Sequence, residues 1–329
     1  MKKIINDPEH VVDQMLNGME RAYSHIVERV PNTDVIVRKN PKNNRVGLVS
    51  GGGSGHEPAH AGYVGKGMLS AAANGSVFTS PTPDQILEAI KQADEGAGVF
   101  LIIKNYSGDV MNFEMAQEMA EMEDIAVASV IVDDDIAVED SLYTQGRRGV
   151  AGTVLVHKIL GYYAEKGVSL DELKNIADQL IPNIKTLGIA LTGTTTPEGG
   201  KESFHLEDDQ IEYGVGIHGE PGYQTESLRP SKEMAQELVE KLLSELDVQT
   251  DEQLAVLVNG MGGTPLMELY VFTNDIALLL DDDDKTVKYW KVGNYMTSIE
   301  MQGLSLTILK LQDKEWLQAL NAPVETIGW

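Results

Sequence analysis

The chain has 329 residues, 42% of them hydrophobic and 23% charged, and 51 acidic against 26 basic side chains leave a formal net charge of −25. A surface of that sign repels phosphate backbones and anionic bilayers, so neither nucleic-acid nor membrane binding is expected; nor does any apolar run approach the ~20 residues that cross a bilayer. The absence of cysteine excludes disulfides, thiolate metal sites and cysteine nucleophiles, and with an N-terminus that lacks an apolar signal core it makes a cytoplasmic location the expectation.

In chain order, strand-like and helix-like segments alternate. The expected fold class is therefore α/β: two α/β domains with mixed sheets flanked by helices. A helix over about 10–24 precedes a strand closing at 46–50. Strands at 98–104 and 125–132 follow, with apolar residues at helical spacing over 110–122 between them. The longest helical stretch covers 150–166, with Gly167 as its terminator. A further helix over 170–187, kinked or broken at Pro182, closes the first half. This puts the domain division at 187/188, giving an N-terminal domain of 1–187 and a C-terminal domain of 188–329. The second half opens with a strand at 189–191 and passes through turn-rich sequence to 211–218. A helix (231–246), a strand (254–258), a helix (265–280), strands (287–292 and 304–311) and a short terminal helix follow.

Five segments carry candidate chemistry. Ser50-Gly51-Gly52-Gly53-Ser54-Gly55-His56-Glu57-Pro58 follows a buried strand, where glycines let backbone N–H groups approach a ligand at the strand's carboxyl end. Ile103-Lys104-Asn105-Tyr106-Ser107-Gly108-Asp109 places a lysine and an aspartate at another such edge; Asp109 can bind a small polar ligand or simply cap the next helix. Gly214-Val215-Gly216-Ile217-His218-Gly219-Glu220-Pro221-Gly222 frames a histidine with glycines. Its spacing matches a dinucleotide fingerprint, but no helix begins there, so an NAD-dependent reading is set aside. A neutral imidazole in such a setting can attack a ketone carbon. Asn259-Gly260-Met261-Gly262-Gly263-Thr264-Pro265 is read as a strand-to-helix turn with Thr264 as N-cap and Pro265 as the first helical residue. Arg147 and Arg148 precede a helix whose dipole they oppose, so a partner is needed: Asp133, Asp134, Asp135 or an acidic ligand. His157 is read as packing, and His60, His205, His10 and His25 show no partner. Neither a phosphate-binding loop of Walker type nor a metal-ligating spacing is present.

Together these segments, with Phe78-Thr79-Ser80-Pro81-Thr82-Pro83 and Val292-Gly293-Asn294-Tyr295, resemble the K-subunit family of dihydroxyacetone kinases along essentially the whole chain. The resemblance implies that His218 bonds covalently to the carbonyl carbon of dihydroxyacetone. It implies also that Gly53, Lys104 and Asp109 hydrogen-bond its hydroxyls, that Asp109 acts as general base and that His56 assists as a proton donor. A covalent handle separates a ketone from a saturated polyol, which hydrogen bonds alone do poorly for so small a molecule.

ATP-dependent relatives carry a nucleotide-binding domain after this one, and the chain ends at Trp329. The implied form is accordingly the phosphotransferase-system one. No cofactor sits on this chain; ADP or ATP and Mg²⁺ are held by a separate L subunit, which an M subunit rephosphorylates. A homodimer is implied as well. The alternative within the same resemblance is a K-like transcriptional co-activator that senses dihydroxyacetone.

Overall fold

In a computed structural model, which describes residues 2–39, 44–138 and 146–329, the chain folds around two mixed six-stranded sheets. The first contains β1 (Val27–Arg29), β2 (Val35–Arg38), β3 (Gly47–Ser54), β4 (Ala71–Val77), β5 (Val99–Lys104) and β6 (Val127–Val132), in the order β1-β2-β4-β3-β5-β6. Strands β4, β3, β5 and β6 run parallel, and β1 and β2 extend the edge antiparallel. Val99, Phe100, Leu101, Ile102 and Ile103 are all buried, the unbroken apolar run of a parallel strand covered on both faces.

Helix α1 (Val11–Ala22) lies against β1. Helices α2 (Pro83–Ala93) and α3 (Ser107–Glu121) cover one face of the sheet, where Ile86, Ile90 and Phe113 pack on Val35, Val49 and Leu101. Helices α4 (Gly152–Glu165) and α5 (Leu170–Leu180) cover the other. Apart from Tyr162 and Glu165, every residue of α4 is buried, because this helix lies between the two sheets and not on the surface.

The second sheet takes β7 (Ile184–Ala190), β8 (Gln210–Tyr213), β9 (Gln224–Ser227), β10 (Gln253–Gly260), β11 (Thr286–Gly293) and β12 (Gly303–Lys310), in the order β11-β10-β12-β7-β8-β9. Only β10 and β11 pair in parallel. Alternation along β10 divides the sheet's two faces. Val256 and Val258 meet Leu238, Leu242 and Phe272 of α6 (Ser231–Glu245) and α7 (Leu266–Asp282), while Ala255 and Leu257 join Leu155 and Ile159 of α4. Helix α8 (Lys314–Asn321) adds Trp316 to that central core.

The expected α/β class with two mixed-sheet domains is what forms, and the boundaries differ where local chemistry overrides periodicity. The helix expected over 170–187 stops at Leu180: Pro182 has no N–H to donate, the chain makes a short 3₁₀ turn, and residues 184–187 become the start of β7. The chain thus enters the second sheet at Ile184, inside the interval expected to be helix. Strand β3 continues through Gly51, Gly52 and Gly53 to Ser54, where a loop was expected. Strand β4 and helix α2 were not anticipated. Helix α3 starts at Ser107, so Asp109 sits in its first turn and Tyr106 is the capping residue. At α7 the cap is Pro265; Thr264 instead donates its hydroxyl to the Gly303 carbonyl.

Candidate active site

The carboxyl ends of β3 and β5 and the loop after β8 converge on one cleft. Gly53, near the end of β3, pairs with Gly75 of β4. A Cβ on Gly53 would lie 2.5 Å from the Thr79 nitrogen and 2.8 Å from the Phe78 Cα, so only glycine lets the 78–79 turn close over the strand. Lys104 ends β5 fully buried, and its Nζ lies 2.9 Å from Asp109 Oδ2. Ser80 donates its hydroxyl to the other carboxylate oxygen. Asp109 therefore has both oxygens engaged, in the first turn of α3, where the helix dipole favours a negative charge.

His218 stands on the glycine-framed loop beyond β8 with 17% of its side chain exposed. Three rings meet its imidazole edge to face: Tyr106 at 4.3 Å, His56 at 4.6 Å and Phe78 at 5.5 Å between centroids. His56 is fully buried, and its Nδ1 lies 2.8 Å from the Thr297 carbonyl, which can only accept. Nδ1 thus carries the hydrogen, and Nε2 keeps its lone pair with no protein partner among the described residues. Burial, with His218 and Lys104 close by, holds the His56 pKa well below the usual histidine range, so the ring is neutral.

Glu220 holds His218 from the other side. Its Oε2 accepts the His218 backbone N–H at 2.8 Å, and its Oε1 is 3.4 Å from Nδ1 of the same residue. Burial works to raise the pKa of this carboxyl, but the bond to His218 and the charge of Arg148 outweigh it and bring it down to about 2. Arg148 is itself buried, its Nε 2.7 Å from Asp135 Oδ2 and its Nη2 donating to the Gly214 carbonyl at 2.7 Å. Of the three aspartates expected as candidates, Asp135 is the partner of Arg148. Asp134 accepts the Val150 and Gly152 N–H groups at the start of α4, and Arg147 pairs with Glu245 of α6.

The cleft has a volume of about 1120 Å³, and its lining includes Gly53, Tyr106, Asp109, Asn112, Arg148 and His218. Among the expected site residues, Gly53, Asp109 and His218 line it directly. Lys104 and His56 stand one layer behind, touching Asp109 and the His218 ring respectively. Sequence reasoning did not single out Glu220, Phe78, Tyr106 or Ser80 as individual site residues. Glu220 carried a usable signal: an acid two residues beyond a glycine-framed histidine.

Two other expectations resolve here. His60 is not partnerless, since its Nδ1 lies 2.9 Å from Nε2 of His157. Asn259 has a structural role, taking the Tyr295 and Met296 N–H groups on its side-chain oxygen and donating to the Met296 carbonyl.

A histidine in an aromatic cage at the strand ends of a two-sheet α/β protein, backed by a lysine–aspartate pair, defines the class. Residues 17–328 match the model of the Dak1 domain, and the chain belongs to that family. It is 62% identical, over all of this chain and 99% of the relative, to the dihydroxyacetone-binding subunit DhaK of the PTS-dependent dihydroxyacetone kinase of Lactococcus lactis. Two solved structures superpose on it with a TM-score of 0.92. One is a dihydroxyacetone kinase operon co-activator, 44% identical and matched over 96% of this chain and 97% of that one. The other is the dihydroxyacetone kinase of C. freundii in complex with AMP-PNP and Mg²⁺, 36% identical over all of this chain but 60% of that longer one. Within the family the chain is a phosphotransferase.

Proposed function

We propose that the chain is the dihydroxyacetone-binding subunit of a phosphotransferase-system-dependent dihydroxyacetone kinase, and that it presents the ketone as a hemiaminal on His218. The observation that carries this reading is the placement of His218: caged by three rings, partly open to the cleft, and close to the buried Lys104–Asp109 pair. The imidazole nitrogen adds to the carbonyl carbon as the C=O π bond opens and the oxygen gains a proton. Gly53, Lys104 and Asp109 then hold the hydroxyls. Asp109 takes the proton of the reacting hydroxyl as its oxygen bonds to the incoming phosphorus. His56, expected as a proton donor, is neutral with a lone pair on Nε2, so in this reading it first accepts a proton from substrate and donates that proton back.

The phosphoryl group arrives on a nucleotide with Mg²⁺ carried by a separate L subunit, which an M subunit recharges. The cleft far exceeds the size of a three-carbon ketone, leaving room for that donor. Its lining cation Arg148 is already committed to Asp135 and a carbonyl, which supports a nucleotide held by the partner. No helix among the described residues is long and apolar enough to cross a membrane; a cytoplasmic, homodimeric subunit is part of the proposal, as is a division into two domains, placed at the start of β7 rather than at 187/188, which would cut that strand. The likeness to a co-activator supports a second reading, in which the bound ketone is a signal.

Intact-protein mass spectrometry with dihydroxyacetone, paired with phosphoryl transfer in the presence of L and M subunits and phosphoenolpyruvate, tests both. The adduct is expected on wild type and absent from His218→Ala; a ketone-dependent mass that survives that change rules out the covalent role. Asp109→Asn is expected to keep the adduct and lose roughly 10²–10⁴ in turnover, the range of one general base. An adduct without any product from wild type would select the co-activator reading.

A further inference from the structure

We propose that Glu220, on the loop that the buried Arg148–Asp135 pair anchors through the Gly214 carbonyl, is a positioning residue that sets the tautomer of His218 and balances the charge its ring acquires on adding to a carbonyl. This rests on the covalent role proposed for His218.

The geometry runs in one chain of contacts. Asp135 binds Arg148, Arg148 anchors the loop through the Gly214 carbonyl, and Glu220 turns both oxygens toward His218, one to its N–H and one to its Nδ1. Among the described residues, the Nδ1-facing oxygen is buried and makes no hydrogen bond, with Nδ1 itself 3.4 Å away at ion-pair distance. A Cβ on Gly216 would come within 2.7 Å of Arg148 Nη1 and collide with the Glu220 carboxylate, so a glycine there is what allows the two to sit together. A carboxylate 3.4 Å from Nδ1 keeps the hydrogen on that nitrogen and leaves the Nε2 lone pair free to attack. As the C–N bond forms, the π electrons move to oxygen and the ring becomes positive beside an anion that is already in place. The oxygen then takes a proton from water, the Nδ1 proton leaves by way of Glu220, and histidine plus ketone give a neutral hemiaminal with no other reactant.

The remaining titratable and charged groups around His218 are His56, Tyr106, Lys104, Asp109, Arg148 and Asp135. Of these, Asp109 is already bound to Lys104 and Asp135 to Arg148. Glu220 is therefore the anion free to follow the imidazole.

The test is the rate of adduct formation with dihydroxyacetone, followed by intact mass on the full chain from pH 5.5 to 9, for wild type, Glu220→Gln and Glu220→Asp. Glu220→Gln is expected to slow the adduct by roughly ten- to a hundredfold, the worth of one hydrogen bond to a charged group. The acid limb of its rate–pH profile should move to lower pH, because the ring has lost a neighbouring negative charge. Glu220→Asp should return the limb toward its wild-type position even if the rate stays low. A Gln variant with wild-type rate and profile overturns this inference alone, as does an Asp variant that matches Gln in both. A wild-type chain that forms no adduct overturns the covalent reading, and this inference with it.

Discussion

His218 meets His56 edge to face at the wall of the cleft, whereas His60 and His157 meet between β3 and α4, at 2% and 0% exposure. In the first pair each ring is held by an oxygen outside the pair, Glu220 for His218 and the Thr297 carbonyl for His56. In the second pair Nδ1 of His60 meets Nε2 of His157, the other ring nitrogens have no partner among the described residues, and Ser50 beside His60 already donates its hydroxyl to the Ile102 carbonyl. Burial, together with the charge of Lys104, brings the His157 pKa down to about 3 and holds that of His60 well below its ordinary value. Burial alone therefore does not mark a histidine for chemistry. What separates the first pair is an oxygen outside the pair beside each ring, at the wall of a cleft that His218 lines.

That contrast can be broken by substitution. The largest effect is expected from His56→Ala, which should lower phosphoryl transfer by roughly 10²–10⁴, well beyond what its stability cost of about 1–3 kcal/mol for leaving the Thr297 carbonyl unpaired would explain. The same loss from His157→Leu would erase the distinction between the pairs. Instead, His157→Leu is expected to keep turnover near wild type and to lose about 1–3 kcal/mol in urea unfolding, the cost of leaving the buried His60 Nδ1 unpaired.

The sharpest test, small within any single pH unit, is on pH dependence. In the unfolded chain a histidine takes its proton near pH 6.5, whereas folded His157 stays neutral down to about 3. The unfolded state thus binds more protons in that window. Stability should fall as pH drops from about 6.5, by about 1.4 kcal/mol per pH unit for each such histidine. His157→Leu should flatten the slope by one histidine's share; an unchanged slope would show that His157 is already protonated in the fold.

Much of this was readable before the structure. The glycine-rich segment, the lysine–aspartate edge and the glycine-framed histidine were each visible, because a ligand-bearing strand end needs unusual residues packed into few positions. What could not be read was long-range. Strand β4 is Ala71-Ala72-Ala73-Asn74-Gly75-Ser76-Val77, a composition poor in strand formers, and it is a strand because β2 and β3 flank it. Arg148 had three aspartates to choose from, and only the bend that sends Asp134 back to the start of α4 leaves Asp135 for it. Phe78 and Tyr106 fell inside quoted segments without a role of their own, since nothing local says that their faces meet a histidine more than a hundred positions away.

The helix buried between the two sheets has a consequence for how the molecule can be taken apart. Leu155 and Ile159 of α4 share one core with Ala255, Leu257, Leu309 and Trp316, so neither half closes its own interior. A chain nicked between Asn183 and Ile184 would therefore leave two complementary fragments, each with an open apolar face that its counterpart fits. Such fragments should stay associated after cleavage and lose their order together.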